Sequence, residues 1–214
     1  SFAGSGRHAF KLARFFANNQ AKTTLVSYNY NRSMPKSEVL DRVLIRRISY
    51  YNRSLLSKFF SLPNLLVGYF RKVVQSDVII IYGRYLIGYP LIILFGKILG
   101  KKVVFRSTLL GCDDVIALYQ RNKLLWQINR GILRRISCYW AINSAFHSNW
   151  LNRVGDKVPV LQQSQGIERE ILIPANHRRI PFNKPLRILS VGILIKRKGY
   201  LKIFEALSEL TIPY

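Results

Sequence analysis

Short apolar runs of strand length alternate along this chain with longer segments of helical spacing, and that alternation calls for parallel strands joined by helical crossovers. The runs are Thr23 to Ser27, Val78 to Tyr82, Lys102 to Arg106, Tyr139 to Asn143 and Val158 to Gln162. Val78-Ile79-Ile80-Ile81 and Val103-Val104-Phe105 are apolar on both faces, as strands are when helices cover a sheet on both sides. Between them, Arg7 to Asn18 sets Phe10, Leu12, Ala13 and Phe16 at helical spacing. Pro90 to Leu99 starts with proline in a first-turn position and stops at Gly100. Asp113 to Ile136 reads as one long helix with two acids at its start, and Ser144 reads as the N-cap of a helix running to about Arg153. The expected fold is α/β, with a mostly parallel sheet and helices on both faces.

The pattern changes near Glu168. Ile173 to Pro185 holds three prolines among polar and cationic residues and has no core periodicity. A strand over Arg187 to Val191 and a helix from about Arg197 to Leu210 then begin a second β-α domain. The reading is a first domain over residues 1–167, a linker over 168–185 and the truncated start of a second domain over 186–214. The chain opens without an initiator Met and stops just after a helix, so a fragment lacking its first strand is expected. The most apolar stretch, Tyr85 to Leu99, is interrupted by Gly88, Pro90, Gly96 and Lys97 and falls short of the roughly 18 to 20 residues that span a bilayer.

Charge narrows the partners. Thirty-four Lys and Arg against ten Asp and Glu give +24, which argues for an anionic partner or surface. Arg42 to Tyr51 interleaves cations with apolar and aromatic residues, a pattern suited to the interface of an anionic membrane, or to an amphipathic helix whose apolar face joins the core. A nucleic-acid-binding α/β protein is the alternative that the charge allows, although the cations are spread among the elements and no zinc-finger spacing, aromatic RNA-recognition motif or helix-turn-helix signature is present. Cys112 and Cys138 match no metal spacing and make no disulfide framework, so no metal is expected and a reducing compartment is favoured.

Three constellations could carry chemistry. Gly4-Ser5-Gly6-Arg7 precedes a helix, where small residues let amides approach an anion or a sugar hydroxyl; Ala9 leaves the dinucleotide fingerprint incomplete. Arg106-Ser107-Thr108 leads to Asp113 and Asp114 at the carboxyl end of a strand, where open α/β sheets bind ligands. These acids can supply a base or hold hydroxyls, or else cap the next helix. Gly192, followed by Lys196-Arg197-Lys198-Gly199 and a helix, makes a cradle for a diphosphate, or a solvated basic turn.

Gly4 to Ala13, Ala141-Ile142-Asn143-Ser144, Ser164-Gln165-Gly166-Ile167-Glu168 and Ile188 through Gly199 with Glu205-Ala206-Leu207 occur in an order that resembles the glycosyltransferase family 4 (group 1) enzymes of the GT-B type. The resemblance implies a Rossmann-like acceptor domain and the first β-α unit of a Rossmann-like nucleotide-sugar domain. It implies transfer of a hexosyl group from a nucleoside diphosphate sugar to a glycan or lipid-linked acceptor, with retention and without a metal or other cofactor. It also implies a cytoplasmic, peripheral membrane location, with no nucleic acid as partner. Lys198 matches the family's donor-phosphate lysine. Ile193 stands where the family has an Arg, and Ser107-Thr108 where many members carry a catalytic His, so the acceptor role falls to Asp113 or Asp114. The family's paired-glutamate donor motif would lie beyond Tyr214. A non-catalytic membrane-associated protein of the same fold is a further alternative.

Overall fold

The computed structural model describes residues 4–29, 34–49, 55–83, 88–110, 114–121, 123–164 and 200–209. The elements in chain order are α1 (Gly4–Asn18), β1 (Thr24–Asn29), β2 (Ser37–Leu40), β3 (Val43–Ser49), α2 (Leu55–Val74), β4 (Val78–Tyr82), α3 (Gly88–Ile98), β5 (Lys102–Arg106), α4 (Val115–Arg121), α5 (Lys123–Leu133), β6 (Cys138–Ala141), α6 (Ser144–Arg153), β7 (Val160–Gln162) and α7 (Tyr200–Ser208). The chain divides into two compact units, Ser1–Gly166 and Ile167–Tyr214. Within the second unit α7 falls inside the 197–210 window read from the sequence. The strand expected at Arg187 to Val191 and the linker lie outside the described residues.

In the first unit β4-β5-β6-β7 form a sheet that is parallel throughout, and β1-β3-β2 form a smaller one in which β1 and β3 are parallel and β2 is antiparallel. The fold class is therefore α/β with a parallel sheet flanked by helices. Among the described residues the strands fall into these two hydrogen-bonded sets, β1 and β4 each bonding to a neighbour on one side only.

The core follows from strand alternation. Ile81, Val103, Phe105, Tyr139 and Ala141 point to one face of the larger sheet and are buried with Ile93 of α3, Leu133 of α5 and Trp150 of α6. Tyr139 and Trp150 stack with centroids 4.0 Å apart and planes 11° apart. Gly96 permits α3 to lie close on β5, since a Cβ there would sit 2.5 Å from Val103 Cγ2. The smaller sheet buries Val43 and Ile45 against Ala13 and Ala17 of α1.

Three local expectations are corrected. The amphipathic helix considered for Arg42 to Tyr51 is replaced over the described residues, because alternate burial of Val43 and Ile45 makes Val43–Ser49 the central strand of a sheet. Asp41 and Arg42, both at positive φ (47° and 65°), form the two-residue turn that pairs Leu40 with Val43. Two strand-length runs separated by two residues were the available hairpin signal. The helical residues Val115–Arg121 and Lys123–Leu133 fall inside the span from Asp113 to Ile136 read as helix, the first packing on α6 and the second on α3. The cap of α6 is Asn143 and not Ser144, the Asn143 side-chain oxygen accepting from the Phe146 amide at 3.2 Å. Finally, Gly4-Ser5-Gly6 is no loop ahead of a helix but the first turn of α1.

Gly96→Ala gains about 1 kcal/mol of helix propensity but inserts a methyl into Val103, an overpacking cost of about 1–3 kcal/mol. Gly131→Ala in α5 meets no atom closer than Arg135 Nη1 at 3.8 Å. Denaturant unfolding should therefore find the first variant destabilised and the second equal to or more stable than wild type; a stabilised Gly96→Ala would contradict the close α3–β5 contact.

Candidate functional site

Parallel register brings the site together. Tyr82 at the end of β4, Arg106 at the end of β5 and Trp140 of β6 are successive cross-strand partners, so all three side chains leave the same face at the carboxyl edge of the sheet. The Arg106 guanidinium carbon lies 4.1 Å from the Trp140 ring centroid and 4.9 Å from that of Tyr82. Trp140 is held by its indole N–H, which donates to the Gln163 carbonyl at 3.1 Å. Gly83, at φ 85°, turns the chain out of β4 so that its amide donates to the Arg106 carbonyl at 2.9 Å.

Arg106 is only 4% exposed, its Nε is buried without a hydrogen-bond partner, and no carboxylate among the described residues forms an ion pair with it. Burial lowers its pKa and Tyr82 opposes this; an arginine remains charged nonetheless. Burial likewise raises the Tyr82 phenol, with the Arg106 charge working against it. Each cation–π contact returns on the order of 1–2 kcal/mol, whereas taking a guanidinium out of water costs several kcal/mol. The stacking positions the charge without offsetting its desolvation.

Next to Arg106, Ser107 is 0% exposed and its hydroxyl has no hydrogen-bond partner among the described residues. The Tyr82 hydroxyl is in the same condition. Thr108 follows, half-buried. Asp114, also 0% exposed, caps α4 through Oδ1, which accepts from the Ala117 amide at 3.1 Å, while its Oδ2 is buried without a partner. The cap and a free acceptor oxygen thus coexist on one side chain.

The first turn of α1, with Gly4, Ser5, Gly6 and Arg7, carries amides with no intrahelical acceptor. One turn on, burial first and then the charges of Arg106 and Lys11 hold the His8 imidazole below its usual pKa. The Arg106 field therefore reaches α1. Of the residues singled out from the sequence, Asp113, Gly192, Arg197, Lys198 and Gly199 lie outside the described residues. Tyr82 and Trp140 had not been singled out; an aromatic residue at each of two strand ends was the signal, but only the pairing register reveals that both flank Arg106. Among the described residues no group of three or more His, Cys, Asp or Glu side chains is gathered that could hold a metal ion.

The folded state binds fewer protons at His8 than the unfolded chain, so the His8 contribution to stability rises with pH across the window below 6.5 and is lost as pH falls through it. Thermal unfolding followed between about pH 5 and 7 should show that rise. His8→Asn should flatten it; an unchanged slope would place its origin elsewhere.

No family model matches the sequence, and no curated protein does. Among solved structures the chain is similar to a sucrose-phosphate synthase from Thermosynechococcus elongatus, with a TM-score of 0.67 over 98% of this chain and 55% of that one, at 16% identity. The chain thus spans about half the length of that relative, and the likeness is one of fold. The parallel sheet with its flanking helices is Rossmann-like, matching a GT-B neighbour.

Proposed function

We propose that the chain is the acceptor-side domain and the opening of the donor-side domain of a glycosyltransferase. In this reading it moves a hexosyl group from a nucleoside diphosphate sugar to a glycan or lipid-linked acceptor, with retention, in polysaccharide or glycolipid synthesis. The observation that carries it is a buried arginine, clasped by two aromatic rings, at the carboxyl end of a parallel sheet whose fold is shared with a sucrose-phosphate synthase.

As the acceptor hydroxyl forms its bond to the anomeric carbon, the bond to the diphosphate breaks and negative charge gathers on the leaving oxygens. Arg197 and Lys198, which precede α7 in the sequence, neutralise that charge in place of a metal ion. Within the first unit, the first-turn amides of α1 at Gly4, Ser5 and Gly6 offer donors to a substrate hydroxyl or anion. Asp114 Oδ2 accepts a hydrogen bond from an acceptor hydroxyl while Oδ1 keeps α4 capped. In a form of the enzyme carrying the complete donor domain, Lys198→Ala should lower transfer by at least about tenfold, about 1.4 kcal/mol of transition-state stabilisation. Asp114→Asn should lower turnover while keeping stability, since Asn still caps. Wild-type rates from the Lys198 variant would remove the donor role, and saturable sugar-nucleotide binding that resists salt separates this reading from nucleic-acid binding.

Peripheral attachment to the cytoplasmic face of an anionic bilayer belongs to the same proposal. Among the described residues no helix is long and apolar enough to cross a membrane. Arg47 pairs with Glu38 and donates to the Pro35 carbonyl, so of the β3 cations only Arg46 is exposed. A better surface lies at the opposite end of the sheet from Arg106. There Val74, Val78, Ile98 and Leu99 are exposed beside Lys97 and Lys102, with Ile98 78% exposed. Apolar side chains among cations suit insertion between anionic headgroups. Co-sedimentation with vesicles should rise with anionic lipid, fall with salt and weaken in Lys97→Glu with Lys102→Glu and in Ile98→Asp; equal binding to neutral vesicles at high salt would refute this.

A further inference from the structure

We propose that Arg106 reads an oxyanion, a phosphate or a carboxylate, carried by the acceptor; this deepens the reading above and rests on it. Three observations converge. The first is a cation that is 96% removed from solvent by the 4% exposure of its residue, with no described carboxylate within ion-pair distance. An uncompensated buried charge is costly enough that proteins keep it paired or bring a partner to it. A neutral sugar hydroxyl would satisfy a donor but leave the charge, whereas an oxyanion does both.

The second is the setting of the group. Tyr82 and Trp140 hold the guanidinium carbon 4.9 and 4.1 Å from their ring centroids, and its Nε is buried without a partner. A guanidinium presents its N–H donors in a fork that matches two oxygens of a carboxylate or phosphate. The third is the company it keeps. The hydroxyls of Tyr82, whose ring lies against Arg106, and of Ser107, the next residue in the chain, are both buried without partners. His8 stands in the same field, on the helix whose first-turn amides are the positive end of a dipole. Asp114, the buried acid of the neighbouring segment, already commits one oxygen to the α4 amide and makes no ion pair with Arg106.

The same oxyanion chemistry is present in the donor's diphosphate, and the probes separate the two sources. The 214-residue chain is titrated with methyl phosphate, acetate and uridine diphosphate, following the His8 imidazole by NMR and thermal unfolding in parallel. Methyl phosphate or acetate should bind saturably at millimolar concentration and move the His8 titration upward, because a bound anion offsets the Arg106 charge. Arg106→Gln should weaken that binding at least about tenfold and leave the unliganded chain as stable as wild type or more so, since a buried unpaired charge has gone. Should Arg106→Gln fail to fold, Ser107→Ala and Arg106→Lys replace it, each expected to weaken methyl phosphate or acetate several-fold with little change in melting temperature.

Binding of both small anions undiminished in these variants, or no saturable effect on His8 in the wild type, would overturn the proposal. So would a folded Arg106→Gln chain that loses stability in the absence of anion, which would make the arginine a structural clasp. Loss of uridine diphosphate binding in step with methyl phosphate would assign Arg106 to the leaving group and overturn the acceptor assignment. Because the titration contains no donor sugar and reads no transfer, failure of the glycosyltransferase reading would leave these outcomes unaffected and be recognised separately.

Discussion

The residue-by-residue register of the parallel sheet is the constraint from which the rest of the structure follows. Pairing Tyr82 with Arg106 and Arg106 with Trp140 fixes, two residues at a time, which side chains meet across β4, β5 and β6. A slip of one residue would move Phe105 and Tyr139 out of the core and Arg106 into it. The core and the candidate site are thus opposite faces of one pairing. What holds that pairing is packing on the apolar face, where the Tyr139–Trp150 stack and the close approach of Gly96 to Val103 lock α6 and α3 onto the strands.

Against that packing the site imposes an electrostatic cost. Arg106, Ser107 and Asp114 are buried polar residues of the described chain, and each retains an unsatisfied atom. Unmade hydrogen bonds of buried groups cost about 1–3 kcal/mol apiece. A fold that tolerates them where its strands end, while satisfying the ladders a few ångströms away, concentrates its polar capacity at the place where α/β sheets receive ligands. Asp114 shows how economically this is done: one carboxylate oxygen stabilises α4 and the other remains an acceptor.

Charge is likewise divided by position. The net +24 is a property of composition, yet the cations take different duties in the fold. Arg47 is consumed by Glu38, Arg153 lies over the Tyr119 ring at 4.2 Å, Lys101 faces Asp77 at 3.8 Å, and Arg106 is sealed among aromatics. Arg46 and Arg47 are adjacent in sequence yet differ: one is exposed on β3 and the other largely covered. Counting basic residues along the chain therefore identifies an anionic partner only in general; which cations are available to it is set by packing.

The sequence by itself determined the α/β class, the positions of β4 and β5 to the residue, and the helices α1, α3 and α6 to within a few positions, because apolar periodicity and Gly, Pro and cap residues act locally. It also marked Arg106, Thr108 and Asp114 as residues at a strand's carboxyl end. Tertiary structure alone decided that Val43–Ser49 is a central strand, since its identity rests on pairing with Thr24–Asn29 and Ser37–Leu40 and not on its own composition. The aromatic clasp on Arg106 belongs to this second class. Tyr82 and Trp140 stand 24 residues before and 34 after it, and only hydrogen-bonded register, a long-range property that no local spacing encodes, brings the three onto one face.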